Sequence, residues 1–265
     1  MEPLQHLQDT QNEKDRRGIA IDRVGIRALR YPMQVRDKAK RLQHTIATTT
    51  LTVDLPSRFK GTHMSRFVEV LSEFGPELHV DSVPKILAAL TKRLDSKSAH
   101  VTFEFPYFIE KKAPVSGALG MMDYTVRFDA EIRGKRLDFI ATVIVPVATL
   151  CPCSKAISAR GAHNQRGSVT YSVRFKKPVW VEELIALVER SASCELYSLL
   201  KRPDEKVVTE RAYDNPVFVE DLVRNIAAAT NVEPNITWYR VEAENYESIH
   251  NHNAYAVIEK KKSSK

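Results

Sequence analysis

Between Leu150 and Gly167 the chain reads Leu-Cys-Pro-Cys-Ser-Lys-Ala-Ile-Ser-Ala-Arg-Gly-Ala-His-Asn-Gln-Arg-Gly, which places two thiols, one imidazole and three cationic side chains in one short segment. Thiolate and imidazole are ligands for zinc and similar ions, and both can move protons or attack electrophiles. Cys151 and Cys153 flank Pro152, and in an extended segment their sulfurs point to opposite sides. The spacing therefore predicts that one of them binds or reacts while the other does something different. Three further places concentrate reactive groups: Glu205 in Lys201-Arg-Pro-Asp-Glu-Lys206, Glu220 in the first turn of a helix expected from Asn215-Pro216, and His250 and His252 in Ser248-Ile-His-Asn-His-Asn253. Each has a plain structural alternative: an exposed acid in a charged turn, an acid favouring the positive end of a helix dipole, and histidines in a loop. Taken together, a thiolate, an imidazole and a carboxylate form a ligand set that leaves a fourth position for water, the arrangement hydrolysis needs. The Cys151 to His163 spacing is not that of a zinc finger, so spacing alone does not establish a metal site.

The elements around these groups are legible from hydrophobic period. Residues 43–55 are rich in β-branched side chains and alternate through Ile46, Leu51, Val53 and Leu55, which predicts a strand ended by Pro56. Phe67, Val70, Leu71 and Phe74 have the spacing of one helix face, closed by Gly75-Pro76, and a second helix starts at Ser82 with Pro84 early and Ile86, Leu87, Leu90 and Leu94 as its stripe. Strands follow around Val101–Phe105, Tyr124–Phe128 and Leu137–Val147, the last continuously apolar and so expected to be central. Beyond the cysteine loop, Ser168–Lys176 alternates as a strand, Val181–Cys194 has helical spacing, a helix is expected from Asn215-Pro216 through Ile226, and Ile236–Ala243 and Ala254–Glu259 close the chain as strands. Strands and helices recur in both parts, so the pattern is that of an α+β protein.

The 265 residues carry 40 Lys and Arg against 33 Asp and Glu, a formal charge of +7 that permits an anionic partner. Nine glycines and no Gly-rich nucleotide loop or Gly-Lys-Ser/Thr tripeptide disfavour a Rossmann unit or a P-loop. Three cysteines are an odd number, and a Cys-x-Cys pair is an awkward disulfide. The thiols fit a reducing compartment; with no secretory signal and no apolar run of membrane-spanning length, the chain is expected in the cytoplasm and off the membrane. Cys194, in a helical pattern, reads as a small core residue. Residues 1–30 are expected as a mobile arm, 31–260 as the catalytic domain, and 261–265 as a basic, solvated tail.

Several long motifs in order carry a family resemblance: Pro56-Ser-Arg-Phe-Lys-Gly-Thr-His-Met-Ser-Arg-Phe67, the Cys-Pro-Cys-Ser-Lys loop ending in Gly161-Ala-His-Asn-Gln-Arg-Gly167, Arg202-Pro-Asp-Glu205, Asn215-Pro-x-Phe-Val-Glu-Asp221 and Glu247-Ser-Ile-His-Asn-His252. Together they resemble the bacterial GTP cyclohydrolase I of type IB, from about Tyr31 to Glu259. The resemblance implies a tunnelling fold: two related halves of antiparallel strands backed by helices, with sheets joining into a barrel on oligomerisation. It also implies a homo-oligomer, taken as a tetramer, with active sites at subunit boundaries. The implied reaction is hydrolysis of GTP to 7,8-dihydroneopterin triphosphate and formate, the entry to tetrahydrofolate synthesis. One divalent transition metal per site, zinc, manganese or iron, would be held by Cys151, His163 and Glu205, with Cys153 close by. Glu220 would grip the guanine edge, and His250 and His252 would transfer protons as metal-activated water attacks purine C8. Lys60, Arg66, Lys155, Arg160 and Arg166 are the cations available for the triphosphate.

Two rivals stand beside this reading. A nitrile reductase of the queuosine pathway shares the tunnelling fold, a catalytic cysteine and a substrate-gripping glutamate, but needs reduced nicotinamide and no metal. A non-enzymatic basic module would bind nucleic acid through the +7 excess, yet basic and aromatic residues are not clustered as such binding requires, so no nucleic-acid partner is expected.

Overall fold

The alternating and β-branched stretches form long strands in the computed structural model, which describes residues 9–39, 41–75 and 82–262. Among the described residues these are β1 Ile21–Arg36, β2 Leu42–Leu55, β3 Ser98–Lys112, β4 Leu119–Arg133, β5 Arg136–Leu150, β6 Asn164–Phe175, β7 Cys194–Glu195, β8 Ile236–Asn245 and β9 Ala254–Lys261. The helices are α1 Ser65–Phe74, α2 Val83–Arg93, α3 Pro152–Ile157, α4 Val181–Ser191, α5 Arg202–Asp214 and α6 Val219–Val232. Hydrogen bonding orders the strands β1-β2-β3-β4-β5-β6-β8-β9, with the short β7 pairing β5. The chain divides into two units, one of Met1–Val35, Ile46–Phe103 and Asp129–Phe139, the other of Arg36–Thr45, Glu104–Phe128 and Ile140–Lys265.

In the first unit, α1 buries Phe67, Val70 and Leu71, α2 buries Val83, Ile86, Leu87 and Leu90, and the two helices pack on one another. Leu51 and Val53 of β2 and Ala99, Val101 and Phe103 of β3 are the buried side of the alternation. Each such Leu, Ile or Phe contributes about 1.5–3 kcal/mol on burial. The second unit repeats the plan with antiparallel strands: Val145 lies opposite Val169, and Tyr171 opposite both Val143 and Val241. Helix α4 buries Leu184, Ile185 and Val188, α6 buries Leu222, Val223 and Ile226, and these helices pack on β6 and β8. One cross-layer bond, Tyr171 Oη to Thr230 Oγ1 at 2.8 Å, satisfies both buried hydroxyls. No helix among the described residues is long and apolar enough to cross a membrane.

Several sequence expectations are corrected. β1 begins at Ile21, inside the stretch 1–30 expected as an arm; residues 1–8 of that stretch lie outside the described residues. Most of β1 has no buried face, so no alternation betrays it. Pro76 of the Gly75-Pro76 stop also lies outside the described residues. Cys194 is not helical: α4 ends at Ser191, and Cys194 sits in β7 opposite Ala148, although it is buried as expected. Asn215 does not cap α6. It ends α5, its Nδ2 donating to Ala192 O at 2.9 Å, and α6 starts after Phe218. In the basic tail, Lys261 ends β9, and the main-chain N of Lys262 donates to Thr237 O at 2.8 Å while its Nζ donates to Thr230 O at 2.9 Å, near the negative end of α6; residues 263–265 lie outside the described residues.

Candidate active site

Strand β5 ends at Leu150, and both polar groups of that residue are fixed. Its N–H donates to Ser193 Oγ at 3.0 Å, and its carbonyl accepts from Val217 N at 3.1 Å. The next residue, Cys151, carries the ladder one step further, its N–H donating to His163 O at 3.1 Å beyond the last paired residues Leu150 and Asn164. Cys151 and His163 therefore face each other at the end of the β5–β6 pair. The chain then turns at once into α3, because Pro152 has a preset φ and needs no helical N–H donor at the first position. Cys151 is the residue capping α3, and its Sγ accepts from Ser154 N at 3.4 Å.

This corrects the picture of the two cysteines on opposite sides of an extended segment. Pro152 starts a helix, so Cys151 is half-buried at the helix cap while Cys153 is exposed on its first turn. The two thiols do occupy different environments, for a helical reason and not a strand one. Ser154 ties the site together: its Oγ donates to Cys151 O at 3.1 Å and accepts from His163 N at 3.2 Å. His163 Nδ1 lies 3.2 Å from Ser248 Oγ, which engages that nitrogen and leaves Nε2 as the donor able to face a ligand.

Ser248 belongs to the β8–β9 connection that carries His250 and His252. That connection is drawn to the start of β6 by Tyr246 N to Arg166 O at 2.9 Å and Gln165 Nε2 to Glu247 Oε1 at 3.1 Å. At its exposed tip the His250 and His252 rings stack, with centroids 5.1 Å apart. Gly167 permits the approach of β6 to β8, since a Cβ there would lie 2.5 Å from Asn245 Oδ1. Glu220 is exposed in the first turn of α6, and the Val217–Leu150 bond fixes the start of that helix to the strand end that precedes Cys151.

Glu205 is exposed in the first turn of α5, and no partner among the described residues holds its carboxylate. Among the described residues no three His, Cys, Asp or Glu side chains are grouped closely enough to hold a metal ion. The chain thus brings Cys151 and His163 together and does not add Glu205 to them. Asp204 beside it is fully buried, accepting from Val115 N, Ser116 N and Lys201 N at 2.8 Å each and from Ser116 Oγ at 2.6 Å. Burial pushes its carboxyl pKa up, but these hydrogen bonds outweigh burial and hold it well below the usual carboxylate range.

The candidate cations are dispersed. Lys155 Nζ donates to Tyr213 O and lies 4.2 Å from the centre of the Tyr213 ring. Arg160 and Arg166 are exposed. Lys60 and Arg66 belong to the other unit, where Lys60 pairs with Glu13 at 2.7 Å. Cys194 takes no part: burial first, and then the Glu195 carboxylate, push its thiol up to about 11. Ser154, Ser248 and Asp204 were missed from sequence. The Cys-Pro-x-Ser and Lys-x-Pro-Asp spacings, each a cap followed by an early proline, were the signals that could have found the first and last.

The antiparallel strands backed by helices match the backbone of uricase from Arthrobacter globiformis with a TM-score of 0.54 at 11% identity, over 92% of this chain and 95% of that one. This is the tunnelling fold, with Cys151 and His163 paired through the main chain at a strand end. A family model described as type I GTP cyclohydrolase folE2 matches residues 7–256. The GTP cyclohydrolase FolE2 of Akkermansia muciniphila is 62% identical over 260 residues, covering 97% of this chain and 98% of its own length. That of Methylobacillus flagellatus is 56% identical over 256 residues, covering 97% and 96%. The chain belongs to the type I GTP cyclohydrolase family.

Proposed function

We propose that this protein hydrolyses GTP to 7,8-dihydroneopterin triphosphate and formate, the entry to tetrahydrofolate synthesis, at a site built on Cys151 and His163. The observation that carries the reading is their opposition at the β5–β6 end, with His163 Nδ1 engaged by Ser248, in a chain so similar to named GTP cyclohydrolases. A half-buried sulfur and a free Nε2 suit zinc, manganese or iron; the exposed, unheld carboxylate of Glu205, which the chain does not bring to that pair, would have to move in as the third donor, with Cys153 two residues from Cys151. When bound, such an ion supplies Lewis acidity that lowers the pKa of water.

The chain's own residues do the rest. The Glu220 carboxylate accepts from the N–H groups of the guanine edge, and its place at a helix start favours the ionised form. Addition of water at C8 requires a proton to leave the water and another to reach the ring nitrogen that departs. His250 and His252 exchange these protons during ring opening and again as a second water releases formate. The triphosphate is held by cations drawn from Lys60, Arg66, Lys155, Arg160 and Arg166, some of them supplied by a neighbouring subunit. Subunits assemble, as a tetramer, with sheets joined into a barrel and sites at the boundaries. Three free thiols suit the reducing cytoplasm.

The test is to incubate metal-loaded protein with GTP and measure formate and, after oxidation, a fluorescent pterin. Both products are expected from the wild type and neither from Cys151→Ala. Equal turnover by that variant would refute the assignment of Cys151.

A further inference from the structure

Helix α5 lacks what ordinarily fixes a helix in a fold. Of its residues only Asp204 and Ala212 are buried, so it has no apolar stripe to seat it. Polar bonds take over that task. At the far end Arg211 Nη1 donates to Glu195 Oε1 at 2.9 Å, and Asn215 Nδ2 donates to Ala192 O at 2.9 Å. At the near end the work falls on one carboxylate. Asp204, 0% exposed, receives four hydrogen bonds. One comes from Lys201 N at the helix cap and three from Val115 and Ser116 in the turn between β3 and β4, which lies 88 residues earlier in the chain at Ser116. That turn is itself closed by Ala113 N to Ala118 O at 2.9 Å and Gly117 N to Ala113 O at 3.2 Å. The first turn of α5 is therefore bolted to the tight turn between β3 and β4 through the Asp204 side chain.

The next residue along that helical turn is Glu205. Its main-chain N donates to Lys201 O at 3.0 Å, so its Cα is set by the same turn that Asp204 anchors. We propose that Asp204 is a positioning residue for the metal centre: it fixes the first turn of α5 on the β3–β4 turn and thereby sets where the Glu205 carboxylate can reach. Ser116, distant in sequence from every candidate ligand, belongs to the same device. The inference rests on the reading of Glu205 as a ligand.

The experiment uses the full chain stripped of metal. Zinc is titrated against a chromophoric chelator, and amide hydrogen exchange is followed over the first turn of α5. Asp204→Asn, Ser116→Ala, their double variant and Glu205→Gln are compared with the wild type. Asp204→Asn is expected to weaken zinc binding about tenfold or more, within the range typical of groups that orient ligands, and to speed exchange at residues 202–206. Ser116→Ala should act in the same direction by a smaller factor. The double variant should be worse than Asp204→Asn by less than Ser116→Ala alone costs, because the two changes share the Ser116–Asp204 bond and Ser116 adds only its bond from Ala118 N at 3.2 Å. GTP turnover should fall in kcat with KM little changed. If Glu205→Gln weakens zinc binding while Asp204→Asn does not, the positioning role is overturned and the ligand reading stands. Wild-type zinc affinity in Glu205→Gln overturns the ligand reading instead. Should Asp204→Asn fail to fold, Ser116→Ala decides, since it keeps all three main-chain bonds to Asp204; unchanged zinc affinity and unchanged exchange there would overturn the role.

Discussion

Ser154→Ala isolates the bridge between the two halves of the site. The hydroxyl joins Cys151 O at 3.1 Å to His163 N at 3.2 Å, while the main-chain N that reaches Cys151 Sγ is untouched by the substitution. Cys151 O keeps a second donor in Lys155 N at 3.2 Å, so the larger loss falls on the His163 N–H, which is left without the acceptor Ser154 supplied. Two hydrogen bonds at about 0.5–1.5 kcal/mol each predict a loss of about 1–3 kcal/mol in stability. The effect on the centre should be larger than on the fold, because the bridge fixes the separation of the two donors; by the scale of outer contacts at metal sites, zinc affinity should fall about 10- to 100-fold. Urea unfolding of the metal-free protein gives the first quantity, and competition with a chelator gives the second. Ser154→Thr, which keeps the hydroxyl, should recover most of the affinity. Unchanged unfolding midpoint and unchanged zinc affinity in Ser154→Ala would show that the bridge does not hold Cys151 and His163 in register.

Other expected outcomes follow from the same geometry. Glu220→Gln should lower kcat/KM for GTP about a hundredfold or more, as charge-assisted bonds worth about 1.5–3 kcal/mol each are weakened, while zinc affinity in the chelator assay stays at the wild-type value. Gly167→Ala drives a Cβ to 2.5 Å from Asn245 Oδ1 and 3.2 Å from Glu244 O, so thermal unfolding should show a loss of about 1–3 kcal/mol. Cys194, whose thiol is pushed up to about 11, should resist iodoacetamide in the native protein at pH 8, whereas the exposed Cys153 reacts; peptide mass mapping tells them apart. Because the folded thiol binds its proton more tightly than the unfolded one, its contribution is complete below about pH 8.5 and is lost as pH rises towards 11, about 3 kcal/mol in all. Cys194→Ala should flatten that part of the alkaline stability profile measured by denaturant titration.

The hydrophobic period of the sequence determined most of the frame on its own. Strands and helices with one buried face, such as β2 with Leu51 and Val53 or α6 with Leu222 and Ile226, had to show it, because burial on one side of a regular backbone leaves a repeat. The same logic explains what stayed hidden. β1 is mostly unburied, and α5 is held by Asp204, Arg211 and Asn215, so neither writes an apolar repeat into the chain. The types of the reactive residues were also legible, since Cys151, His163, Glu205, Glu220, His250 and His252 stand in long ordered motifs. Their arrangement was not. That Cys151 faces His163, that Ser154 and Ser248 fix the pair, and that Asp204 reaches back to Ser116 are contacts between segments 9 to 88 residues apart. Only tertiary folding decides such contacts, because a hydrogen bond between distant segments depends on where both backbones run and leaves no spacing in either.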